Sequence, residues 1–151
     1  MRVKRGGALT GPNPTDRGKP GTKYHVVATD GLPLGAVPSA ANVHDTHLFR
    51  HLLPLAQVAC AAITRLDADA GYDSAENRDL CRHDGIQPHI RKIGEAHGSG
   101  LGRIRCVVEH DCAWFLANKR LDRRHDRRGH TILALLAAAC IFIVANHLDA
   151  F

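Results

Sequence analysis

The sequence predicts an α/β fold in which helices pack on a mixed β-sheet. Short β-prone segments alternate with helical segments along the chain, the order expected of such a layered fold. The length of 151 residues suits one domain with one hydrophobic core. The apolar fraction of 44% and the charged fraction of 23% are ordinary for a globular protein.

The first elements are a basic loop and a hairpin. Residues 1–22 are rich in Gly, Pro, Lys and Arg, which predicts an exposed loop ahead of a domain at 23–151. Two β-prone segments then flank Asp30-Gly31, a turn signal that predicts a hairpin. Pro33 and Pro38 limit the second strand or place it at a sheet edge. The two predicted strands are Tyr24–Ala28 and Leu32–Val37.

The rest of the chain predicts three strand or loop segments and four helices. A helix opens at Asn42–Asp45 and reaches its last turn at Pro54. Ser74 and Gly85 are the expected N-cap and C′ residues of the next helix. The other predicted elements are a strand at Ala61–Leu66, a strand at Ile86–Ile90, a glycine-rich loop at Gly94–Gly102, a long helix at Arg103–Leu121 and a final helix at Thr131–His147.

The final helix is apolar enough to need a test for membrane insertion. Its apolar run, Thr131–Ala145, is shorter than the ~20 residues that cross a bilayer core, which favours a buried core helix. A membrane anchor stays open as an alternative because a basic run precedes this helix. No apolar stretch follows the basic N-terminus, so we expect no signal peptide and a cytoplasmic protein.

Charge suggests a polyanionic partner. The formal net charge is +5 and the pI is about 9.2. Basic residues cluster within a short stretch that either contacts nucleic acid or forms a solvated face. The cluster consists of Lys119, Arg120, Arg123, Arg124, His125, Arg127 and Arg128.

Cysteine and histidine patterns predict neither disulfides nor a zinc site. The five cysteines are odd in number and scattered, and no CxxC pair occurs. We expect them to be buried or idle thiols. Of the 11 histidines, four fall near the predicted crevice without a metal-binding pattern, and we assign them no catalytic role. These four are His44, His89, His97 and His110.

Two acids are candidates for chemistry. Asp69 follows a predicted strand, at the end of a sheet where α/β proteins bind ligands. Glu109 lies in a predicted apolar helix, where a bound cation would offset the cost of burying it. Alone, Asp69 could cap a turn and Glu109 could pair with Arg105. Together the two carboxylates would suit Mg²⁺, which supports phosphodiester cleavage when two ions act as a pair.

These acids lie in segments that match a known family. The segment Ala68–Asp73 resembles the A-D-x-G-Y-D motif of insertion-sequence transposases of the DDE superfamily, in the group of insertion sequence 5-like elements. The segment Arg105–Glu109, followed by Ala113–Phe115, resembles that family's R-x-x-V-E-R-x-F-A-W-L segment. The resemblance covers nearly the whole chain, because further matches lie at Lys4–Gly7, Thr10–Pro12, Asp16–Lys23, Asn42–Asp45 and His97–Gly102.

The resemblance implies a ribonuclease-H-like fold and metal-dependent DNA strand cleavage and transfer at the ends of an element. It implies a pair of Mg²⁺ or Mn²⁺ ions as the cofactor, and a homo-oligomer on DNA as the active complex. By position, Asp69 would be the second and Glu109 the third of three metal-binding acids. The expected DNA contacts are Arg105, Lys119, Arg120, Arg123 and Arg124.

The sequence departs from the family pattern in two places. The family's first aspartate lies on a first strand just before the segment that matches Val3–Gly7, and the sequence starts at Met1. We therefore expect the sheet to lack that strand and the chain to be inactive alone, as a second reading frame or a fragment. His110 and Asp111 replace the usual Arg and Thr. A basic DNA-binding module without catalysis is the alternative.

Overall fold

The computed structural model describes residues 2–3, 6–60, 62–92, 94, 113–117 and 119–148. Its strands are β1 Arg2–Val3, β2 Gly11–Pro12, β3 Pro20–Thr29, β4 Leu32–Ala40, β5 Arg65–Ala68, β6 Gln87–Ile90 and β7 Arg123–Arg124. Its helices are α1 Phe49–Ala59, α2 Ala75–His83, α3 Lys119–Asp122 and α4 Gly129–Leu148. Two 3₁₀ helices lie at Asp45–Leu48 and Ala70–Tyr72, and residues 113–117 are also helical.

The strands form two separate sheets. One has five strands in the order β2-β3-β1-β7, with β4 also paired to β3. The other contains β5 and β6, which run parallel. Antiparallel and parallel pairs both occur and helices pack on the strands, so the predicted α/β class with mixed pairing is confirmed.

The β3–β4 hairpin confirms the prediction and is longer than predicted. Asp30 and Gly31 have φ values of 48° and 81°, as expected for a two-residue hairpin turn. Pro38 lies opposite Tyr24 and Pro33 lies opposite Ala28. Among the strands of the described ranges, β4 pairs only with β3, so it is an edge strand as predicted.

The hydrogen-bond pattern explains why β4 tolerates two prolines. The Ala41 amide donates to the Gly21 carbonyl (3.1 Å), which makes this an exchanging pair of the antiparallel ladder. Pairs then alternate as far as Val27, so Pro38, opposite Tyr24, needs no N–H directed at β3 and removes no ladder bond. Pro33 follows a register shift between Val27 and Ala28, and proline is tolerated at such irregularities of an edge strand.

The N-terminal stretch is more structured than predicted. β1 and β2 lie within residues 1–22, and Thr22 belongs to β3 and is 1% exposed. The expectation of a loop up to residue 22 is therefore wrong at these positions. Both β1 and β2 pair with Gly21, so they lie on opposite edges of β3.

A first hydrophobic cluster joins α1 and α2 to the β5–β6 sheet. It contains Phe49, Leu53, Cys81, Ile86 and Ile90. The Ser74 hydroxyl accepts from the Asn77 amide (3.1 Å) and Gly85 has a φ of 72°, which confirms both predicted caps. Two boundaries were wrong: Pro54 lies inside α1 rather than in its last turn, and the strand predicted at Ala61–Leu66 is found at Arg65–Ala68.

A second cluster lies between the hairpin and α4. Ile132, Leu136 and Cys140 form the buried stripe of α4 and pack with Ala36, Phe115 and Leu121. The other sides of α4 are open, and Phe142 is 66% exposed. The helix has 20 residues, and its length and composition would permit a membrane span. The prediction that this helix is too short to cross a bilayer is therefore wrong. The buried stripe is what supports a core helix.

Candidate functional site

A cavity of about 960 Å³ separates the two sheets and marks the candidate site. One wall is β3, from Thr22 to Thr29, and the opposite wall is the segment from Arg65 to Asp69. The α1 residues Phe49, Leu52, Leu53 and Ala56 contribute the apolar part of the lining. Charged and polar groups lie among the lining residues from both walls: Lys23, His25, Asp45, Asp67, Asp69 and Tyr72.

Asp69 lines this cavity with a carboxylate that has no partner among the described residues. It follows β5 directly, is exposed, and occupies the N-cap position of the 3₁₀ helix Ala70–Tyr72. Its side chain makes no capping bond, so the alternative of a capping aspartate is not supported. No hydrogen bond or ion pair holds this carboxylate within the described ranges, and an open carboxylate at a strand end is suited to a hard divalent cation.

The residues after Asp69 hold this turn in place. A Cβ at Gly71 would lie 2.7 Å from Oδ2 of Asp45, so the backbone of Gly71 packs tightly against that carboxylate. The Lys23 ammonium donates to Oδ1 of Asp45 (2.8 Å). The Arg78 guanidinium donates to Asp73 (2.6 Å) and to the Ile90 carbonyl (2.9 Å). The residues that follow Asp69 therefore fix its position, and the Asp69 side chain takes no part in these contacts.

His25 links the turn to β3. Its Nδ1 lies 2.9 Å from the Tyr72 hydroxyl, and its Nε2 lies 2.8 Å from the Ser39 hydroxyl. The side chain is 3% exposed. Burial lowers the pKa of His25 below its usual 6.5, Asp45 opposes this shift and Lys23 adds to it. The neutral imidazole is therefore the form that the fold favours.

Asp67 is a second carboxylate on this wall, but it is already paired. Arg65 donates to it (2.7 Å), and Nδ1 of His89 contacts the same oxygen from the neighbouring strand. Burial alone would raise the pKa of the Asp67 carboxyl, but the bonds from Arg65 and His89 lower it below 3.8. Asp67 is thus a structural anion that ties β5 to β6.

Two predicted site residues fall outside the described residues. Glu109 and Arg105 lie in residues 95–112, and so does most of the predicted glycine-rich loop. Leu116, in the helical residues 113–117, does line the cavity. The described end of the predicted long helix therefore borders the same space as Asp69.

The predicted DNA contacts divide into exposed and buried residues. Lys119, Arg120 and Arg123 are exposed, and Arg120 pairs with Asp126 (2.9 Å). Arg124 is 1% exposed, and its guanidinium donates to the carbonyls of Ala8, Leu9 and Asp126 and to the hydroxyls of Thr10 and Thr22. The expectation of DNA contact is corrected for Arg124, because its charge is used to fasten the N-terminal segment to the sheet.

Within the described residues, no group of three or more His, Cys, Asp or Glu side chains could hold a metal ion. The Asp69 oxygens fit a divalent cation by their chemistry and accessibility. A complete site would need ligands from outside the described ranges. Among the described residues, Cys60, Cys81 and Cys140 are free thiols, and Cys106 and Cys112 lie outside the described ranges.

Sequence reasoning missed the supporting residues Lys23, His25, Asp45 and Asp67. One signal was present: His25 interrupts an otherwise apolar β-prone run, as expected of a buried histidine with a polar partner. The Asp45–Lys23 pair joins residues 22 positions apart, and no local pattern reports such a contact.

Comparison with known proteins gives two matches and one negative result. Residues 2–144 match the family model described as "Transposase DDE domain". The chain is 42% identical to a protein of Burkholderia cepacia that carries the name of transposase for insertion sequence element IS402, over 92% of this chain and 70% of that protein. No solved structure is significantly similar to the chain.

Proposed function

This chain belongs to the transposase DDE domain family, and we propose that it supplies catalytic acids for DNA strand cleavage and transfer at the ends of an insertion sequence. Family membership supports a function in transposition. The observation that carries the finer proposal is the open Asp69 carboxylate beside the cavity, on a turn that hydrogen bonds of the Tyr72 and Asp73 side chains hold in place.

We propose Glu109 as the acid that acts with Asp69. Glu109 lies seven residues, about two helical turns, before Leu116 in the predicted long helix. If that helix is continuous, the two side chains share one face, and Leu116 lines the cavity. Glu109 would then approach the cavity from the side opposite the sheet wall.

The chemistry requires oxygen ligands rather than a protein nucleophile. Divalent ions bound there, Mg²⁺ or Mn²⁺, would activate the attacking hydroxyl and stabilise the leaving oxygen of the phosphodiester. The protein's part is to hold the carboxylates of Asp69 and Glu109 in position. Asp67 takes no part, because Arg65 already forms an ion pair with it and His89 contacts the same oxygen. Asp69 offers one open carboxylate at the end of β5, so a metal ion bound to it would keep coordination positions for phosphate oxygens and water.

Substrate DNA would lie along the exposed basic side chains. Lys119, Arg120 and Arg123 are close in sequence and accessible, which suits contact with phosphates rather than base reading.

We also propose that the hairpin, α1 and the parallel β5–β6 pair belong to a ribonuclease-H-like arrangement. The homo-oligomer on DNA and the cytoplasmic location expected from the sequence belong to the same proposal.

The test is a strand-cleavage assay on duplex DNA that carries the sequences flanking the gene. The chain is compared with a version extended at its N-terminus by the corresponding residues of the IS402 transposase, in Mg²⁺ and in Mn²⁺. Asp69→Asn and Glu109→Gln are the test variants, and Glu76→Gln, an exposed acid in the first turn of α2, is the matched control.

We expect the extended protein to nick DNA, both test variants to lose nicking, and the control to retain it. Nicking that survives Asp69→Asn would overturn the role of Asp69. Salt-sensitive binding without nicking by either protein would favour the non-catalytic DNA-binding module.

A further inference from the structure

The charged side chains of the β5–β6 sheet share one face. Asp67 and His89 are opposite each other in the parallel register, and their side chains are in contact. Asp69 has extended backbone angles, φ −64° and ψ 159°, so it continues the face of Asp67 two residues further along the chain. The other face of the sheet is apolar, because Ile90 belongs to the first hydrophobic cluster and Leu66 packs against it.

Arg91 continues the charged face on the side of β6. It follows β6 directly, and its amide donates to the Ala68 carbonyl (3.2 Å), so the parallel hydrogen-bond pattern extends one residue past Ile90. Since Ala68 is opposite Ile90, the next position along both strands places Arg91 opposite Asp69. Neighbouring strands are about 4.8 Å apart, so the two side chains start from adjacent positions at the carboxyl end of the sheet.

The Arg78 guanidinium fixes these two strand ends relative to each other. It donates to the carbonyl of Ile90, the residue before Arg91 (2.9 Å), and to Asp73 in the turn after Asp69 (2.6 Å). The side chains of Arg78 and Asp73 are both mostly shielded from solvent. Asp69 and Arg91 are therefore held as neighbours by other residues, without an attraction between their own charges.

We propose that Arg91 binds a non-bridging oxygen of the phosphate at which the DNA strand is cut, beside the carboxylate of Asp69. This inference rests on the proposed function and adds a substrate contact to it. A guanidinium is charged at every pH of interest, and its planar fork of N–H groups matches a phosphate. The carboxyl end of parallel strands is also where α/β sheets bind their ligands.

A phosphate beside Asp69 needs a positive group close to it, because the carboxylate repels the phosphate charge. Lys23 and Arg65 line the cavity, and each is already paired with an aspartate. Arg91 is half-buried and also interacts within the protein. Its five N–H donors allow it to keep such an interaction and still bind a phosphate.

The experiment measures binding of the chain to a duplex that carries the sequences flanking the gene, by fluorescence anisotropy in EDTA. Single phosphates around the end of the element are replaced in turn by methylphosphonates, which have nearly the same shape and no charge. Arg91→Gln and Arg91→Lys are the test variants. Arg82→Gln, at an exposed arginine of α2, is the matched control.

We expect one position at which the methylphosphonate weakens binding of the unmodified chain by about tenfold and leaves binding of Arg91→Gln unchanged. Arg91→Lys should show an intermediate loss, because an ammonium keeps the charge but not the fork. Arg82→Gln should respond at every position as the unmodified chain does. In Asp69→Asn the loss at the same position should become larger, because the carboxylate no longer repels that phosphate.

The scan can overturn the inference in three ways. The folded chain could fail to bind the duplex, Arg91→Gln could respond as the unmodified chain does at every position, or Asp69→Asn could leave the loss unchanged. Urea unfolding establishes that each variant is folded, and Arg91→Lys alone provides the comparison if Arg91→Gln does not fold. A loss of stability in Arg91→Gln that disappears in the Asp69→Asn background, without an effect in the scan, would identify a structural ion pair instead.

The nicking assay separates this inference from the proposed function. In the extended protein, Arg91→Gln should slow nicking by about tenfold or more, at the phosphate that the scan identifies. Nicking that Arg91→Gln does not slow would overturn the inference and leave the proposed function in place. The predicted scan without nicking by any protein would support Arg91 as the phosphate contact beside Asp69 and count against catalysis, since the scan is made without metal ions.

Discussion

His25 and Tyr72 are joined by a hydrogen bond of 2.9 Å that links β3 to the turn after β5. Their rings meet edge to face, with centroids 6.1 Å apart. His25 lies in the middle of β3, and Tyr72 ends the 3₁₀ turn that begins after Asp69. The contact therefore couples the position of the candidate catalytic carboxylate to the protonation state of a buried imidazole.

This coupling predicts a pH-dependent stability. Burial lowers the folded-state pKa of His25 below 6.5, so the unfolded chain takes up the proton first as pH falls. The stability that neutral His25 provides is complete above about 6.5 and declines as pH falls below that value. Urea unfolding between pH 7.5 and 5 should show this decline, and His25→Gln should flatten it. His130→Gln, at an exposed position, should leave it unchanged. Equal slopes in all three proteins would contradict the coupling.

Arg124 and Arg123 provide a contrast between neighbouring basic residues. Arg124→Ala would remove five hydrogen bonds that a buried guanidinium makes to carbonyl and hydroxyl groups, so we expect the free energy of unfolding to fall by about 3 kcal/mol. Arg123→Ala, at an exposed position, should change it by less than about 0.5 kcal/mol. Arg124→Lys should restore only part of the loss, because an ammonium cannot reproduce the guanidinium fork. Urea denaturation measures all three, and equal losses at both positions would refute the structural role.

DNA affinity should depend on the exposed basic residues rather than on the buried Arg124. Each phosphate contact removed lowers the slope of log affinity against log salt by about 0.9. Lys119→Ala and Arg123→Ala are expected to reduce that slope, measured by fluorescence anisotropy on a fixed duplex at several salt concentrations. Arg50→Ala on α1, also exposed, is the matched control. An unchanged slope for both test variants would place the DNA elsewhere on the surface.

The sequence predicts features that depend on neighbouring residues better than features that depend on contacts between distant parts of the chain. The hairpin turn at Asp30-Gly31 and the caps at Ser74 and Gly85 depend on residues next to them in the chain, and all three are confirmed. β5 was misplaced because its position depends on pairing with β6 rather than on an apolar run. The buried role of Arg124 depends on Thr22, 102 positions away, and basic clustering alone suggested a surface contact.

Substitutions at Asp67 and at Asp69 should have separate effects, the first on stability and the second on activity. Asp67→Asn removes a paired anion, and we expect a loss of about 1 kcal/mol in the free energy of unfolding. The pKa of Asp67 is lowered, so this contribution is present above about pH 3.8 and is lost as pH falls below it. Asp69→Asn should leave stability unchanged within about 0.5 kcal/mol and abolish nicking by the extended protein. A large loss of stability at Asp69 would assign it a structural role.

Gly71 tests whether the turn positions Asp69. A methyl group there would lie 2.7 Å from Oδ2 of Asp45, so that carboxylate would have to shift against its ion pair with Lys23 (2.8 Å). We therefore expect Gly71→Ala to reduce the free energy of unfolding by about 1 kcal/mol, and to lower nicking by the extended protein because Asp69 is displaced.

The double-mutant cycle with Asp45→Ala provides the control for Gly71. With the Asp45 carboxylate removed, the added methyl group has space, so Gly71→Ala should cost much less in that background. Urea unfolding of the four proteins gives the coupling energy, which we expect to be about 1 kcal/mol. Additive losses would show that Gly71 is required for its backbone conformation rather than for its approach to Asp45, and the nicking rates would then give no information on how Asp69 is positioned.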